Sequence, residues 1–217
     1  MNDANRAEAA KHIRGATIAW GGDQYLDLEQ PDSITVGLDD YAYCLAYTVR
    51  WRGQTRTAFG RPFYGVGQHV CFGAEEMLAA GIDKAHAIAF LFHESDELPF
   101  GDFPGPAKVL PEVKAICALA KRIAASIDDN FGVDVPDPDL IKRWDIRMLV
   151  TEKRDVLSKS FGGDDWAHDG QGDATAGYEP FERRIIPYSH PEEAAIRFMQ
   201  LCAQLGVCDE FGEIARG

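Results

Sequence analysis

The sequence KAHAIAFLFHESDELPFGD, residues 84–102, is the most informative part of this chain. Residues 87–92 are apolar on every side of a helix, which is typical of a helix that other helices bury. The apolar run ends at His93, and Glu94 follows at once. Ionisable side chains at the end of a buried helix indicate a polar centre, because an unpaired charge is costly to bury.

Helical periodicity recurs on both sides of this stretch. We predict helices over about residues 39–47, 65–80, 84–96, 111–131, 191–205 and a further one that Asp137 or Asp139 starts and that continues to about residue 157. Asp83 is placed to cap the buried helix, and Gly81 and Gly132 follow the ends of two others. We therefore expect an all-α fold.

The remaining segments predict short extended pieces, turns and one long loop. Residues 17–28 hold two short apolar runs around Gly21-Gly22, and residues 50–54 look like a strand end and turn. Residues 158–182 are rich in Gly, Asp and Ser, so we expect a long flexible loop, which could be a lid over a site. We divide the chain into an N-terminal extension (1–16), one domain (17–205) and a tail (206–217).

Composition excludes several classes of protein. The formal net charge of −13 argues against a broad face for a nucleic-acid polymer. No stretch reaches the roughly 18 apolar residues of a membrane span, and the first 14 residues carry no apolar signal region. The five cysteines include no C-x-x-C pair and predict reduced thiols. We expect a cytoplasmic protein that does not bind membranes.

Three predicted helices each direct ionisable groups toward the common core. His69 lies on the apolar stripe of the helix at 65–80, His93 and Glu94 end the buried helix, and Asp145 borders apolar residues of a later helix. One such histidine alone is more often a hydrogen-bonded core residue. Two imidazoles and two carboxylates together form a ligand set for one divalent metal ion: manganese, cobalt, iron, nickel or zinc, with magnesium less suited. We expect the four groups to lie within about 8 Å of one another.

Two further carboxylates follow the His93-Glu94 pair. Glu97 falls one helical turn beyond His93, and Asp102 lies past the Pro99–Gly101 break. Carboxylates beside a metal can orient or deprotonate an attacking water molecule. The alternative is a solvated acidic helix end, which the position next to His93 disfavours.

Three segments, in the same order, resemble motifs of the HD-domain phosphohydrolases. FYGVGQH (63–69) resembles the family segment FYSVAQH, LFHESDELPFGD (91–102) resembles LLHDAAEAYLGD, and WDIRMLVTEKRD (144–155) resembles ADRRALATERRDLL. The similarity is strongest to the branch of bacterial 5'-deoxynucleotidases and phage deoxynucleoside triphosphate triphosphohydrolases. Weaker similarity at the turn 50–54 and the last helix extends it over most of residues 17–200.

This resemblance implies an HD-domain helical bundle over 17–205 and a role for each candidate residue. His69, His93, Glu94 and Asp145 would bind the metal ion. Glu97 would be the catalytic carboxylate, and Asp102 would assist. Arg50 or Arg61 would contact phosphate, and Trp51 would stack on a base. The substrate would be a small anion, a deoxynucleotide. A homo-oligomer is possible.

The sequence departs from the family at one ligand. The doublet here is His93-Glu94, whereas the family has His-Asp, so the carboxylate is one methylene longer. Three hypotheses follow: a metal-dependent phosphohydrolase acting as a 5'-deoxynucleotidase or triphosphohydrolase, a catalytically silent nucleotide-binding or regulatory protein with the same fold, and a purely structural helical protein. We favour the first, because the other candidate site residues are all present.

Overall fold

The computed structural model describes residues 15–20, 25–157 and 175–207. Most of the predicted N-terminal extension, residues 158–174 of the predicted loop and the tail from residue 208 lie outside them. Four cysteines are described, and all four are free thiols, as expected. No helix in these ranges is long and apolar enough to cross a membrane.

Six α-helices account for most of the described structure, which confirms the all-α expectation. They are α1 (Leu38–Tyr47), α2 (Val66–Ala79), α3 (Lys84–Phe92), α4 (Pro111–Phe131), α5 (Pro138–Asp155) and α6 (Glu192–Leu205). Local sequence sets several of the ends. The Asp83 carboxylate accepts hydrogen bonds from two backbone amides of the first turn of α3, and the Asp137 carboxylate accepts one from the first turn of α5. Gly132 ends α4 with a positive φ of 62°.

The expected extended segments near the N-terminus form a small hairpin. Strands β1 (Thr17–Ala19) and β2 (Tyr25–Asp27) are antiparallel, with Ile18 opposite Leu26. Leu26 is only 1% exposed and joins the core, which attaches the hairpin to the helices. The predicted Gly21-Gly22 turn lies in residues 21–24, outside the described ranges.

The helix that begins at Lys84 is shorter than the sequence suggested. We predicted that it continues to Asp96, but α3 ends at Phe92, and a separate 3-10 turn follows at Ser95–Glu97. The Ser95 hydroxyl donates to the Phe92 carbonyl at 2.6 Å, so it takes the place of a backbone amide of the next helical turn. This break changes the direction in which the side chains after Phe92 point.

The core lies where α1, α2, α3 and α6 pack together. Gly67 lets α2 approach α1 closely, because a Cβ there would come 2.9 Å from the backbone of Ala46. On one side of α3 the core is a group of four aromatic rings, Tyr41, Phe92, Phe131 and Phe198, with centroid distances of 4.9–5.6 Å. Helix α5 crosses α2 and α3 on the other side. The candidate site lies at that crossing.

The described end of the predicted loop, residues 175–182, has no helix or strand but contacts α5. The Phe181 amide donates to the Thr151 hydroxyl, and the Arg154 guanidinium donates to the Phe181 carbonyl. The Phe181 ring is buried against Trp144, with ring centroids 5.3 Å apart. The flexibility proposed for this segment stays a prediction.

Candidate metal centre

The four predicted metal ligands come together in space. One donor atom from each of His69, His93, Glu94 and Asp145 lies within 4.8 Å of the others, well inside the expected 8 Å. The two imidazole Nε2 atoms are 3.4 Å apart. Glu94 Oε1 lies 3.7 Å from each of them, and Asp145 Oδ1 lies 3.6 and 3.8 Å away.

These separations fit a single divalent cation. Ligands held at about 2.1 Å from one ion are about 3.0–4.2 Å apart in tetrahedral or octahedral geometry. The five nitrogen–nitrogen and nitrogen–oxygen distances, 3.4–3.8 Å, lie within that interval. The two carboxylate oxygens are the sixth pair, which is held within 4.8 Å. The mixed set of two nitrogen and two oxygen donors suits the transition metals named above. A cation fits the residues present.

Both histidines direct their Nε2 atom toward the shared point. His69 Nδ1 lies 2.6 Å from Glu152 Oε1, and His93 Nδ1 lies 2.6 Å from the carbonyl oxygen of Phe90. A carboxylate and a carbonyl can only accept, so Nδ1 of each ring donates. In the neutral rings this leaves the Nε2 lone pairs facing each other, an arrangement that a metal ion satisfies.

The break after Phe92 explains how two consecutive residues reach one point. His93 keeps nearly helical dihedrals, whereas Glu94 departs from them, with φ −104° and ψ 21°. In a continuous helix the two side chains would be about 100° apart around the axis. Because the helix stops here, both donor groups face the same small volume between α2 and α5.

The charges of the cluster stabilise one another. Burial disfavours the charged imidazolium of His93, but the carboxylates of Glu94 and Asp145 outweigh burial and raise its pKa. Burial likewise opposes the charged form of Asp145, yet its hydrogen bond and charge interaction with His93 hold the pKa well below the usual value. Without metal, a proton on His93 is the positive charge that the carboxylates favour.

Glu152 belongs to the site, although the sequence analysis did not single it out. It is fully buried and accepts hydrogen bonds from His69, Tyr64, Trp51 and Arg50. A signal was available, because Glu152 follows Asp145 by seven residues, two turns of helix, on the same face of α5. That stretch is part of the third motif, 144–155, in which the resemblance assigns no role to Glu152.

The residues predicted to contact substrate lie at different depths. Arg50 is 8% exposed, and its Nη1 donates to Glu94 Oε1 at 2.9 Å. The Trp51 ring is half-buried, and its Nε1 donates to Glu152 at 3.0 Å. Arg61 is exposed in the segment before α2. Arg50 and Trp51 thus adjoin the cluster, and the substrate contacts of all three stay predictions.

Glu97 and Asp102 follow the cluster along the chain. Glu97 is 3% exposed, and burial, followed by the charge of Glu94, raises its pKa to about 10. Lys108, which the sequence analysis also missed, places its Nζ 3.8 Å from Glu97 Oε1. Asp102 is half-buried just after the Gly101 turn, and its charge acts on both Glu97 and Lys108. Their catalytic roles stay predictions.

Comparison with known proteins identifies relatives but no activity. No family model matches the chain. It is 32% identical over 121 residues to an uncharacterized protein of Rhodobacter capsulatus, which is 54% of this chain and 59% of that protein. It is 28% identical over 133 residues to the uncharacterized Escherichia coli protein YfdR, or 61% of this chain and 66% of that one. The chain thus spans less than two thirds of either relative.

Proposed function

We propose that this protein is a metal-dependent phosphohydrolase with an HD-domain fold that cleaves a phosphoester of a deoxynucleotide. The observation that carries the proposal is the convergence of two imidazole nitrogens and two carboxylate oxygens, from α2, α5 and the two residues that follow α3, within 4.8 Å. A divalent cation bound there supplies the positive charge that neutralises phosphate oxygens and makes a water molecule a better nucleophile at neutral pH. The resemblance of three segments to that family supports the same conclusion.

The acidic balance of the chain is compatible with an anionic substrate. Although the net charge is −13, several cationic groups surround the cluster: Arg50 contacts Glu94, Lys142 contacts Asp145, and Lys108 lies near Glu97. Lys142 is 68% exposed along its side chain, so it can turn from Asp145 toward a phosphate group. Local positive charge then attracts the substrate, and the surrounding carboxylates repel anions elsewhere.

Glu97 is the proposed catalytic carboxyl group that positions the attacking water. Burial together with Glu94 raises its pKa to about 10, and Arg50 and Lys108 oppose this rise only in part, so Glu97 is protonated at neutral pH. In that form it can hydrogen-bond to the water and orient it, whereas removing a proton from the water would require the carboxylate form. Asp102 assists by hydrogen bonding to water or to Glu97.

A nucleotide panel tests the proposal directly. The metal-free protein is loaded separately with Mn²⁺, Co²⁺, Ni²⁺ and Zn²⁺ and incubated with deoxynucleoside mono- and triphosphates and their ribonucleotide counterparts. Ion chromatography then separates inorganic phosphate, expected of a monophosphatase, from tripolyphosphate, expected of a triphosphohydrolase. We expect turnover that a chelator abolishes and the same metal restores. No turnover with any metal and nucleotide contradicts the proposal.

One observation favours a second candidate, a catalytically silent nucleotide-binding or regulatory protein. Glu94 stands where the family has an aspartate, and its Oε1 forms a buried ion pair with Arg50 at 2.9 Å. That pairing competes with coordination of a cation by the same oxygen. Nucleotide binding by calorimetry, with neither bound metal by elemental analysis nor turnover in the panel, supports this candidate over the enzyme.

A further inference from the structure

We propose that Glu152 is a positioning residue that orients His69 and raises its affinity for the metal ion, and that the turn at residues 50–53 is built to hold Glu152 in place. The inference rests on the metal centre of the proposed function. Glu152 does not itself face the point that the four ligands share. It acts through the far side of one imidazole ring.

The surroundings of Glu152 fill its capacity to accept hydrogen bonds. Oε1 accepts from His69 Nδ1 at 2.6 Å and from the Tyr64 hydroxyl at 2.9 Å. Oε2 accepts from Trp51 Nε1 at 3.0 Å and from Arg50 Nη2 at 3.4 Å. A carboxylate offers about four lone-pair positions, so four donors leave none for water. The side chain is 0% exposed, which holds it in one orientation.

This carboxylate also connects the ligands to one another. The guanidinium of Arg50 bridges Glu152 and Glu94, with nitrogen–oxygen distances of 3.3 and 2.9 Å. Asp145 and Glu152 share helix α5, so their spacing is fixed by the helix backbone. Displacing Glu152 therefore disturbs His69 directly and Glu94 through Arg50.

The turn that presents two of these donors is conformationally strained. Trp51 and Arg52 both adopt positive φ, 57° and 54°, a region that residues other than glycine rarely occupy. Such a conformation costs about 1–3 kcal/mol per residue and persists only where surrounding contacts over-determine it. The hydrogen bond from Trp51 and the ion pairs of Arg50 are contacts of that kind, and they converge on Glu152 and Glu94.

A carboxylate behind a metal-binding imidazole has a defined chemical effect. It fixes the tautomer that leaves Nε2 unprotonated, and its negative charge makes that nitrogen a stronger donor. The buried setting strengthens the effect, because little solvent screens the interaction. Glu152→Gln keeps the size of the side chain, removes the charge and leaves an amide group facing donors.

Titration with Co²⁺ alone tests the inference, because this ion reports coordination through its visible absorption. We expect Glu152→Gln to weaken Co²⁺ binding about 10-fold to 100-fold and to alter the absorption spectrum. The matched control is Asp155→Asn, which removes another buried carboxylate of α5, one that pairs with Arg154 and Arg184. We expect the control to lower the melting temperature and to leave the Co²⁺ affinity and spectrum unchanged.

A second variant is expected to change the Co²⁺ affinity in a direction that loss of structure cannot produce. Tyr64→Phe removes the hydroxyl that shares Oε1 with His69 and retains the aromatic ring. With one donor fewer, Glu152 accepts more strongly from His69, so we expect Co²⁺ to bind about twofold more tightly. Weaker binding in this variant argues that the network only supports the fold. This measurement decides the matter if Glu152→Gln does not fold.

The outcomes separate this inference from the proposed function. If the wild-type protein binds Co²⁺ and Glu152→Gln binds it with the same affinity and spectrum, the positioning role is overturned and the metal centre stands. If Asp155→Asn weakens binding as much as Glu152→Gln does, the role is overturned as well. If the wild-type protein binds no Co²⁺, both the metal centre and the positioning role are overturned.

Discussion

The two sides of helix α3 are built from opposite kinds of interaction. Phe92 faces a core of aromatic rings, where it lies 4.9 Å from Tyr41 and 5.4 Å from Phe198 between ring centroids. The next residue, His93, faces a cluster of charges, where its Nε2 lies 3.7 Å from Glu94 and 3.8 Å from Asp145. Stability on the first side comes from the area removed from water, which tolerates small displacements.

The second side depends on direction and pairing. Each buried carboxylate there has a cation or a hydrogen-bond donor within a few ångströms, and losing one partner leaves the other unpaired. We therefore expect the aromatic side to determine whether the chain stays folded, and the charged side to determine whether it binds metal.

The largest effect is expected from His93→Ala. The change removes one of four ligands, so bound metal and turnover should both fall by more than about 100-fold, beyond the loss typical of outer partners. Elemental analysis after dialysis and the nucleotide panel measure the two quantities. Two carboxylates lose a partner, but the aromatic core is unchanged. We therefore expect circular dichroism to show that the variant stays folded. Unchanged turnover refutes the assignment of the site.

Phe198→Ala should have the opposite profile. Phe198 is fully buried on α6 and touches two rings of the aromatic core, so its truncation should cost about 3–5 kcal/mol in the free energy of unfolding. Urea denaturation of the metal-free protein measures the loss. Co²⁺ affinity, measured well below the melting temperature, should stay at the wild-type value. A parallel loss of metal affinity means that the two sides of α3 are not separable.

The helices and the ligand set follow from the sequence, because both rest on local and repeated patterns. The apolar run before His93 predicts a buried helix, and the acidic residues at 83 and 137 predict helix starts that the structure has. His69 and Asp145 interrupt apolar faces, which marks them without any knowledge of distance. Periodicity alone thus identified three of the helices that meet at the site.

Other features depend on contacts that periodicity does not report. The break after Phe92 comes from a side-chain hydrogen bond of Ser95, which competes with the continuing helix. The role of Glu152 depends on four donors from segments 83 to 102 residues away in sequence. The left-handed conformation of Trp51 and Arg52 is not predictable from the sequence, because neither position is a glycine.

Glu94→Asp sharpens the comparison by changing reach without changing charge. Glu94 Oε1 lies between Arg50 and the two imidazole Nε2 atoms, and a side chain shorter by about 1.5 Å cannot keep both contacts. We expect Co²⁺ affinity to fall about 10-fold and stability to change little. Glu112→Asp, an exposed site on α4, is the matched control. Equal or tighter binding by Glu94→Asp indicates that the longer residue is not adapted to this backbone.

A smaller effect is expected where the two sides of α3 meet. Ser95 Oγ lies 2.9 Å from the Tyr41 hydroxyl of the aromatic core and 3.0 Å from Asp128 Oδ1. Burial, opposed by the contact with Ser95 and reinforced by the charges of Asp129 and Asp96, raises the pKa of Asp128 from 3.8 to about 6. A carboxyl group whose pKa is raised by folding stabilises the folded state at pH values below its pKa in the unfolded chain. That contribution is lost as the pH rises through about 6.

Asp128→Asn removes this titration and keeps an amide that can hydrogen-bond to Ser95. In the metal-free protein we expect the variant and the wild type to unfold with similar free energies near pH 4. Above about pH 7 the variant should be more stable by about 1–2 kcal/mol, less than the full shift because Asp128 is partly exposed. The difference between the two urea curves at each pH isolates Asp128 from the other carboxylates, which titrate in both proteins. A difference that does not grow with pH means that Asp128 is ionised in the folded protein at no cost, and that the boundary between the two sides of α3 tolerates a charge.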